Sequence, residues 1–313
     1  MADHSKVLEH YPAMADFNIK ELIRTRGDVL CYRANLQRGS FSTDERGFRH
    51  SIFQGRTMSV SDCMRSERYG IVLGASNIFA VGLAGNENCM ASLLAERFGF
   101  PFANAAMPGG NSRNLNALLT GLVAQTARRP AVVVLSNGGD LANFCESSMA
   151  DPIFGSPNRL QVKVHNDAGI TADADNQLPG LLAFMSLWTT MTARRCRRLK
   201  AALVMVHQST FFEKTKPSAI ELDCALGQPS RSRNAPMFDR FSKYNAPFFA
   251  HRKEVAERLG VPLAGLGLSD QLTFIDEFHC TREGTRILAQ DVGDKIEPLL
   301  GEAKPPPKAK KAS

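Results

Sequence analysis

Residues 69–82, YGIVLGASNIFAVG, limit the fold more than any other part of the 313-residue chain. Ile71, Val72 and Leu73 lack the polar alternation of a half-exposed strand, so the run reads as a strand covered on both faces, as in a parallel sheet. Gly74 reads as the tight turn that stops the strand. Ser76 is then the first hydroxyl beyond its carboxyl end, where open α/β sheets keep their chemistry.

The rest of the chain repeats the theme. Met90, Leu93, Leu94 and Phe98 recur at helical spacing and Gly99 closes that helix. A short strand follows at 100–106, and then a helix whose stripe is Leu115, Leu118, Leu119, Leu122 and Val123, with Asn111 or Ser112 as N-cap. AVVVLS, 131–136, is the clearest buried strand. A helix at 181–200, strands at 201–208 and 261–267, and a helix through Phe241, Phe248, Val255 and Leu259 come next. Thr281 is placed to cap a last helix with Leu288, Val292, Ile296 and Leu299 inward. Five strands alternating with helices predict an α/β fold, its parallel sheet covered on both faces by right-handed crossovers.

The pattern predicts one main domain, 66–301, with irregular insertions at about 145–180 and 209–238 as candidate lids. Residues 1–65 form an N-terminal extension that the pattern does not place; within it TDERGFRHS, 43–51, reads either as a segment that accompanies the Ser76 block or as a surface turn around Gly47. The tail 302–313, KPPPKAKKAS at its core, has no apolar anchor and reads as disordered.

Four lysines and Glu302 give that tail +3 of the formal charge of +7, and without it about +4 remains, a mildly basic body. Nucleic acid is therefore not an expected partner. Seven scattered cysteines with no C-x-x-C pair read as reduced thiols. No segment is apolar for a membrane span or a signal peptide, which predicts a soluble, cytoplasmic protein without a membrane partner. No glycine loop followed by lysine and no metal-ligand spacing occurs, so neither a cofactor nor a metal is expected. His207, at a strand's end, reads as a core or rim histidine. The oligomeric state stays open.

Asp276 and His279 stand three apart just before the last helix. A carboxylate at that spacing can hold one imidazole nitrogen, leaving the other to take a proton from a serine such as Ser76.

Glycine-x-Ser76 early and Asp276-x-x-His279 late, in that order, resemble the SGNH (GDSL-type) hydrolases, from residue 69 to about 300. The resemblance implies a three-layer flavodoxin-like α/β/α sandwich and a triad of Ser76, His279 and Asp276. It also implies an oxyanion hole built from the backbone of Ser76 and Gly109, the glycine of the second block in MPGGNS. The third block, Gly-x-Asn-Asp, is altered: matching Asp140 puts Gly139 where the asparagine belongs. Asn137, two positions early, is the expected replacement donor, against a turn-capping role.

The expected activity is that of a serine esterase on small O-acyl esters, O-acetyl groups on a saccharide among them, so that the partner is a small-molecule or carbohydrate ester. An O-acyltransferase with the same triad and a non-catalytic binding module are the alternatives.

Overall fold

The computed structural model describes residues 5–17, 23–26, 29–147, 174–226 and 231–301. The runs of apolar residues become the strands of one five-stranded sheet: β5 (Gly70–Gly74), β6 (Phe102–Ala106), β7 (Val132–Leu135), β8 (Ala202–Val206) and β9 (Leu263–Ala264). The order is β6-β5-β7-β8-β9, and every pair is parallel. Two antiparallel hairpins precede it, β1 (Ile23–Arg26) with β2 (Val29–Tyr32) and β3 (Ser51–Phe53) with β4 (Arg56–Met58).

Parallel strands expose both faces to helices, and two hydrophobic layers result. Val72, Val134 and Val204 pack on one face against α4 (Met90–Phe98) and α10 (Arg282–Leu300). Ile71, Val133 and Leu203 point to the other, against α2 (Val60–Arg65) and α5 (Ser112–Val123). Each such fully buried aliphatic side chain contributes roughly 1.5–3 kcal/mol. The remaining helices are α1 (Ser5–His10), α3 (Ser76–Phe79), α6 (Gly139–Ser147), α7 (Ala174–Leu199), α8 (Ala219–Leu226) and α9 (Arg231–Leu259).

The chain leaves β5 to one side, makes β6, and returns across β5 to make β7. The order of the strands therefore reverses between β5 and β7, the kind of switch point beyond whose carboxyl ends open α/β sheets bind ligands. Ser76 and Asn137 follow those two strands directly.

Local capping agrees with the sequence. Asn111 accepts a hydrogen bond from Asn114 N–H in a reciprocal capping box, Thr281 accepts one from Gly284 N–H, and Gly99 ends α4 at φ 69°.

Three regions differ from the sequence expectation. Of the insertion at 145–180, residues 148–173 lie outside the described residues, and 174–180 are helical, the opening turns of α7. The region 209–238, expected to be irregular, carries α8 and the start of α9. The fifth strand is reduced to two residues, because Gly265 and Gly267 take φ of 83° and 77°, outside the β region. The tail 302–313 also lies outside the described residues.

Residues 31–65 are packed into the body. Tyr32 stacks on Phe79 at 3.7 Å between ring centroids, and Phe17 stacks on Phe41 at 4.5 Å. A turn is present at Gly47, but packed inside rather than on the surface: Gly47 is buried, a Cβ there would lie 2.1 Å from Tyr32 O, Asp44 accepts from the N–H groups of Arg46 and Phe48, and Gly47 has φ 90°.

Candidate active site

Ser76 opens the short helix α3, directly after β5. Its Oγ lies 2.9 Å from His279 Nε2, and His279 Nδ1 lies 2.7 Å from Asp276 Oδ2. For Ser76 to donate to Nε2, the imidazole must carry its proton on Nδ1, where Asp276 accepts it. Residues 203 apart in sequence thus form one hydrogen-bonded line.

Asp276 is held by its own loop. Oδ1 accepts from the N–H groups of Phe278 and His279, both at 2.8 Å. The loop is closed by Ile275 N–H on His279 O and by an antiparallel bridge between Phe274 and Cys280. Burial alone would raise the Asp276 carboxyl, but the neighbouring His279 and these hydrogen bonds outweigh it and hold the group below its ordinary value.

Arg49 fixes the segment that follows α3. Its buried guanidinium donates to the carbonyls of Phe79 (3.1 Å), Ala80 (2.6 Å), Leu83 (2.9 Å), Gly85 (2.9 Å) and Ser40 (3.3 Å), and to Asn86 Oδ1 at 3.1 Å. Within this segment a Cβ on Gly82 would come 2.7 Å from Ile275 Cδ1, so the segment lies directly against the Asp276–His279 loop. Arg49 lies in TDERGFRHS, and neither reading of that phrase, a turn or a segment accompanying the Ser76 block, assigns its guanidinium a role.

Ser76 N–H and Gly109 N–H have no acceptor among the described residues. Gly109 has φ 59°, and its carbonyl accepts from Asn143 Nδ2 at 3.0 Å. Next to it, Asp140 accepts from Ser112 N–H at 2.8 Å and from the Ser112 hydroxyl. Helix α6 therefore grips the Gly109–Ser112 segment through two side chains. Burial pushes the Asp140 carboxyl up to about 6, against the Ser112 hydrogen bonds and the charge of Arg252. Arg252 is itself fully buried. Asp140 was visible as a match to the third block; Asn143 and Arg252 carried no signal, because their partners are distant in sequence.

The expectation for Asn137 is corrected. Its Nδ2 donates to Ser112 Oγ at 2.9 Å and to Thr189 Oγ1 at 3.1 Å. An amide nitrogen has two hydrogens, so neither remains for a reacting oxyanion. Asn137 is wholly buried and ties β7 to α5 and α7. Gly139 occupies the asparagine's place, and its reason is steric: a Cβ there would lie 2.2 Å from Gly110 O and 3.5 Å from Ala75 Cβ.

His207 is buried, with Nε2 2.7 Å from Glu213 Oε2, as a core histidine. Among the described residues no three His, Cys, Asp or Glu side chains gather as metal ligands, and no helix is long and apolar enough to cross a membrane.

No family model matches the chain, and no curated protein is similar to it. Among solved structures, it is similar to a member of the lipolytic protein G-D-S-L family from Veillonella parvula (10% identity, TM-score 0.43, 72% of this chain and 97% of that one). A carbohydrate acetylesterase family member from Sinorhizobium meliloti is similar at 15% identity and TM-score 0.47, over 75% of this chain and 99% of that one. A mutant acetylxylan esterase from Geobacillus stearothermophilus is similar at 12% identity and TM-score 0.45, over 75% and 95%.

Proposed function

We propose that this protein is a serine hydrolase of carboxylic esters, with Ser76 as nucleophile, His279 as general base and Asp276 as its orienting carboxylate. The observation that carries this reading is the continuous line Ser76 Oγ, His279 Nε2, His279 Nδ1, Asp276 Oδ2, at 2.9 and 2.7 Å. A serine hydroxyl is a poor nucleophile until a base removes its proton, and both distances lie within proton-transfer reach.

Attack of Ser76 Oγ on the ester carbonyl forms the new C–O bond while His279 Nε2 takes the hydroxyl proton. The negative charge moves to the carbonyl oxygen, where the N–H groups of Ser76 and Gly109 stabilise it. His279 then returns the proton to the departing alkoxide, and the acyl group remains on Ser76. Water, deprotonated by the same nitrogen, releases the acid. Asn143 and Asp140 serve this step by holding the peptide that carries Gly109.

The substrate class is a small O-acyl ester, an O-acetylated saccharide among the candidates.

The test is hydrolysis of p-nitrophenyl acetate, butyrate and octanoate, and of acetylated xylo-oligosaccharides, by wild type, His279→Ala and Asp276→Asn. His279→Ala is expected to lose most of kcat with an unchanged fold. Asp276→Asn is expected to lose a similar or smaller factor, since the groups act as a unit. Unchanged turnover in folded His279→Ala would refute the assignment.

A further inference from the structure

A cavity of about 370 Å³ opens where residues 31–48 lie against the end of β6 and the first turns of α5. That volume falls within the range of small-molecule sites, about 300–1,000 Å³. Its lining is mostly apolar, with Phe48, Met107 and Leu118 among it, and includes Arg46 and Arg113. No acidic residue lines it.

The charge there is poorly offset. Glu45 lies 3.8 Å from Arg46 Nε, and the Ser61 hydrogen bond to its Oε1 holds its carboxyl below the ordinary value, so it is ionised and offsets one guanidinium only. Asp44, behind the turn, is buried and spends its carboxylate on the N–H groups of Arg46, Phe48 and Val60. Arg113 is exposed and has no acceptor among the described residues. An apolar cavity with two guanidiniums, of which Glu45 offsets one and Arg113 stays without a counter-charge, suits a ligand that is apolar at one end and anionic at the other.

We propose that this cavity binds a small anionic amphiphile, an apolar body bearing one carboxylate or phosphate, with the anion between Arg46 and Arg113. The site is separate from the serine chemistry and does not depend on it. It nevertheless touches the candidate active site through its wall. Met107 N–H donates to Gly74 O at 2.8 Å, and Met107 O accepts from Gly110 N–H at 3.1 Å, so an occupant leans on the segment that bears Gly109.

Cys31 supplies a built-in reporter, because it lines the cavity and is only partly buried. Cys63, Cys89, Cys145, Cys196 and Cys224 are buried, and burial pushes the Cys280 thiol up to about 12. The experiment uses the full chain carrying Ser76→Ala, so that failure of the esterase assignment cannot affect the result. Octanoate, octyl phosphate and octanol are titrated by calorimetry, and each is tested for protection of Cys31 from iodoacetamide.

The two anions are expected to bind and protect Cys31, the tighter one identifying the headgroup, while octanol binds more weakly than both. Arg113→Ala should weaken the anions about tenfold and leave octanol unchanged. Leu118→Trp, which adds bulk to the lining, should abolish binding of all three, with a melting temperature close to that of the parent. Equal affinity for octanol and the anions would overturn the proposal, as would binding that survives both substitutions or leaves Cys31 unprotected.

Discussion

Adding one methyl group at Gly139 should be costly, whereas adding one at Gly121 should be beneficial. A Cβ on Gly139 would stand 2.2 Å from Gly110 O and 3.5 Å from Ala75 Cβ, and the first obstacle is a backbone carbonyl rather than a flexible side chain. Relief requires the α6 start and the Gly109–Gly110 segment to part by about 1 Å, an overpacking cost of about 1–3 kcal/mol. The same shift moves a proposed oxyanion donor, and a misplacement of that size costs on the order of 10²-fold in kcat. Gly121 lies within α5, is exposed, and has nothing within 4 Å of its ideal Cβ. Replacing glycine by alanine inside a helix gains roughly 0.5–1 kcal/mol. Urea unfolding of Gly139→Ala and Gly121→Ala, with p-nitrophenyl acetate turnover of each, reads all four quantities. The account predicts opposite signs in stability, with turnover lost only for Gly139→Ala. A Gly139→Ala protein as stable and active as wild type would refute the steric argument. So would a gain of activity in Gly139→Asn, the variant that restores the asparagine of the resembled third block.

Two further substitutions probe the supports of the site. Asp140 has its carboxyl pushed from 3.8 up to about 6 by burial, so the folded state binds this proton more tightly than the unfolded state. Its contribution to stability is therefore present below about pH 4 and lost as pH rises through about 6, by roughly 3 kcal/mol. Asp140→Asn should remove that slope: unfolding free energies of variant and wild type, measured from pH 4 to 7, must converge or cross, and parallel curves would contradict the assignment. Arg49→Met leaves the carbonyls of Phe79, Ala80, Leu83, Gly85 and Ser40 without their guanidinium partner. The carbonyls of Ala80, Ser40 and Gly85 keep the N–H groups of Leu83, Gly85 and Asn88, so those of Phe79 and Leu83 are the two left unsatisfied; at about 1–3 kcal/mol each, a loss on the order of 4 kcal/mol is expected in denaturant unfolding, and a loss below about 1 kcal/mol would show that the clamp is unimportant.

What the sequence made legible follows from how local each signal is. The strands at Gly70–Gly74 and Val132–Leu135 were plain, because residues buried on both faces leave uninterrupted apolar runs. Caps were plain at Asn111 and Thr281, since cap and first turn are adjacent in sequence. Asp276 and His279 were paired by spacing, and Ser76 by its place after a strand. The start of α9 was missed because Pro236 reads as a breaker and residues 209–238 lack periodicity. The helix persists through Phe241, Tyr244 and Phe248, whose burial against α6 and α7 offsets poor local propensity. Arg49 and Asn143 were invisible because their acceptors, apart from Ser40, lie 30 or more residues away, and no local pattern announces a long-range hydrogen bond. The role expected of Asn137 failed for a related reason. Its place after β7 was right, but its amide direction is set by Ser112 and Thr189 on two other helices.

The central claim, that Ser76 is activated by His279, is tested most directly by covalent labelling. Wild-type protein treated with a fluorophosphonate probe, digested and mapped by mass spectrometry should carry the phosphonyl group on Ser76. His279→Ala should be labelled at least about 10²-fold more slowly, and Ser76→Ala not at all. Modification at another serine, or equal labelling of wild type and Ser76→Ala, would contradict the account.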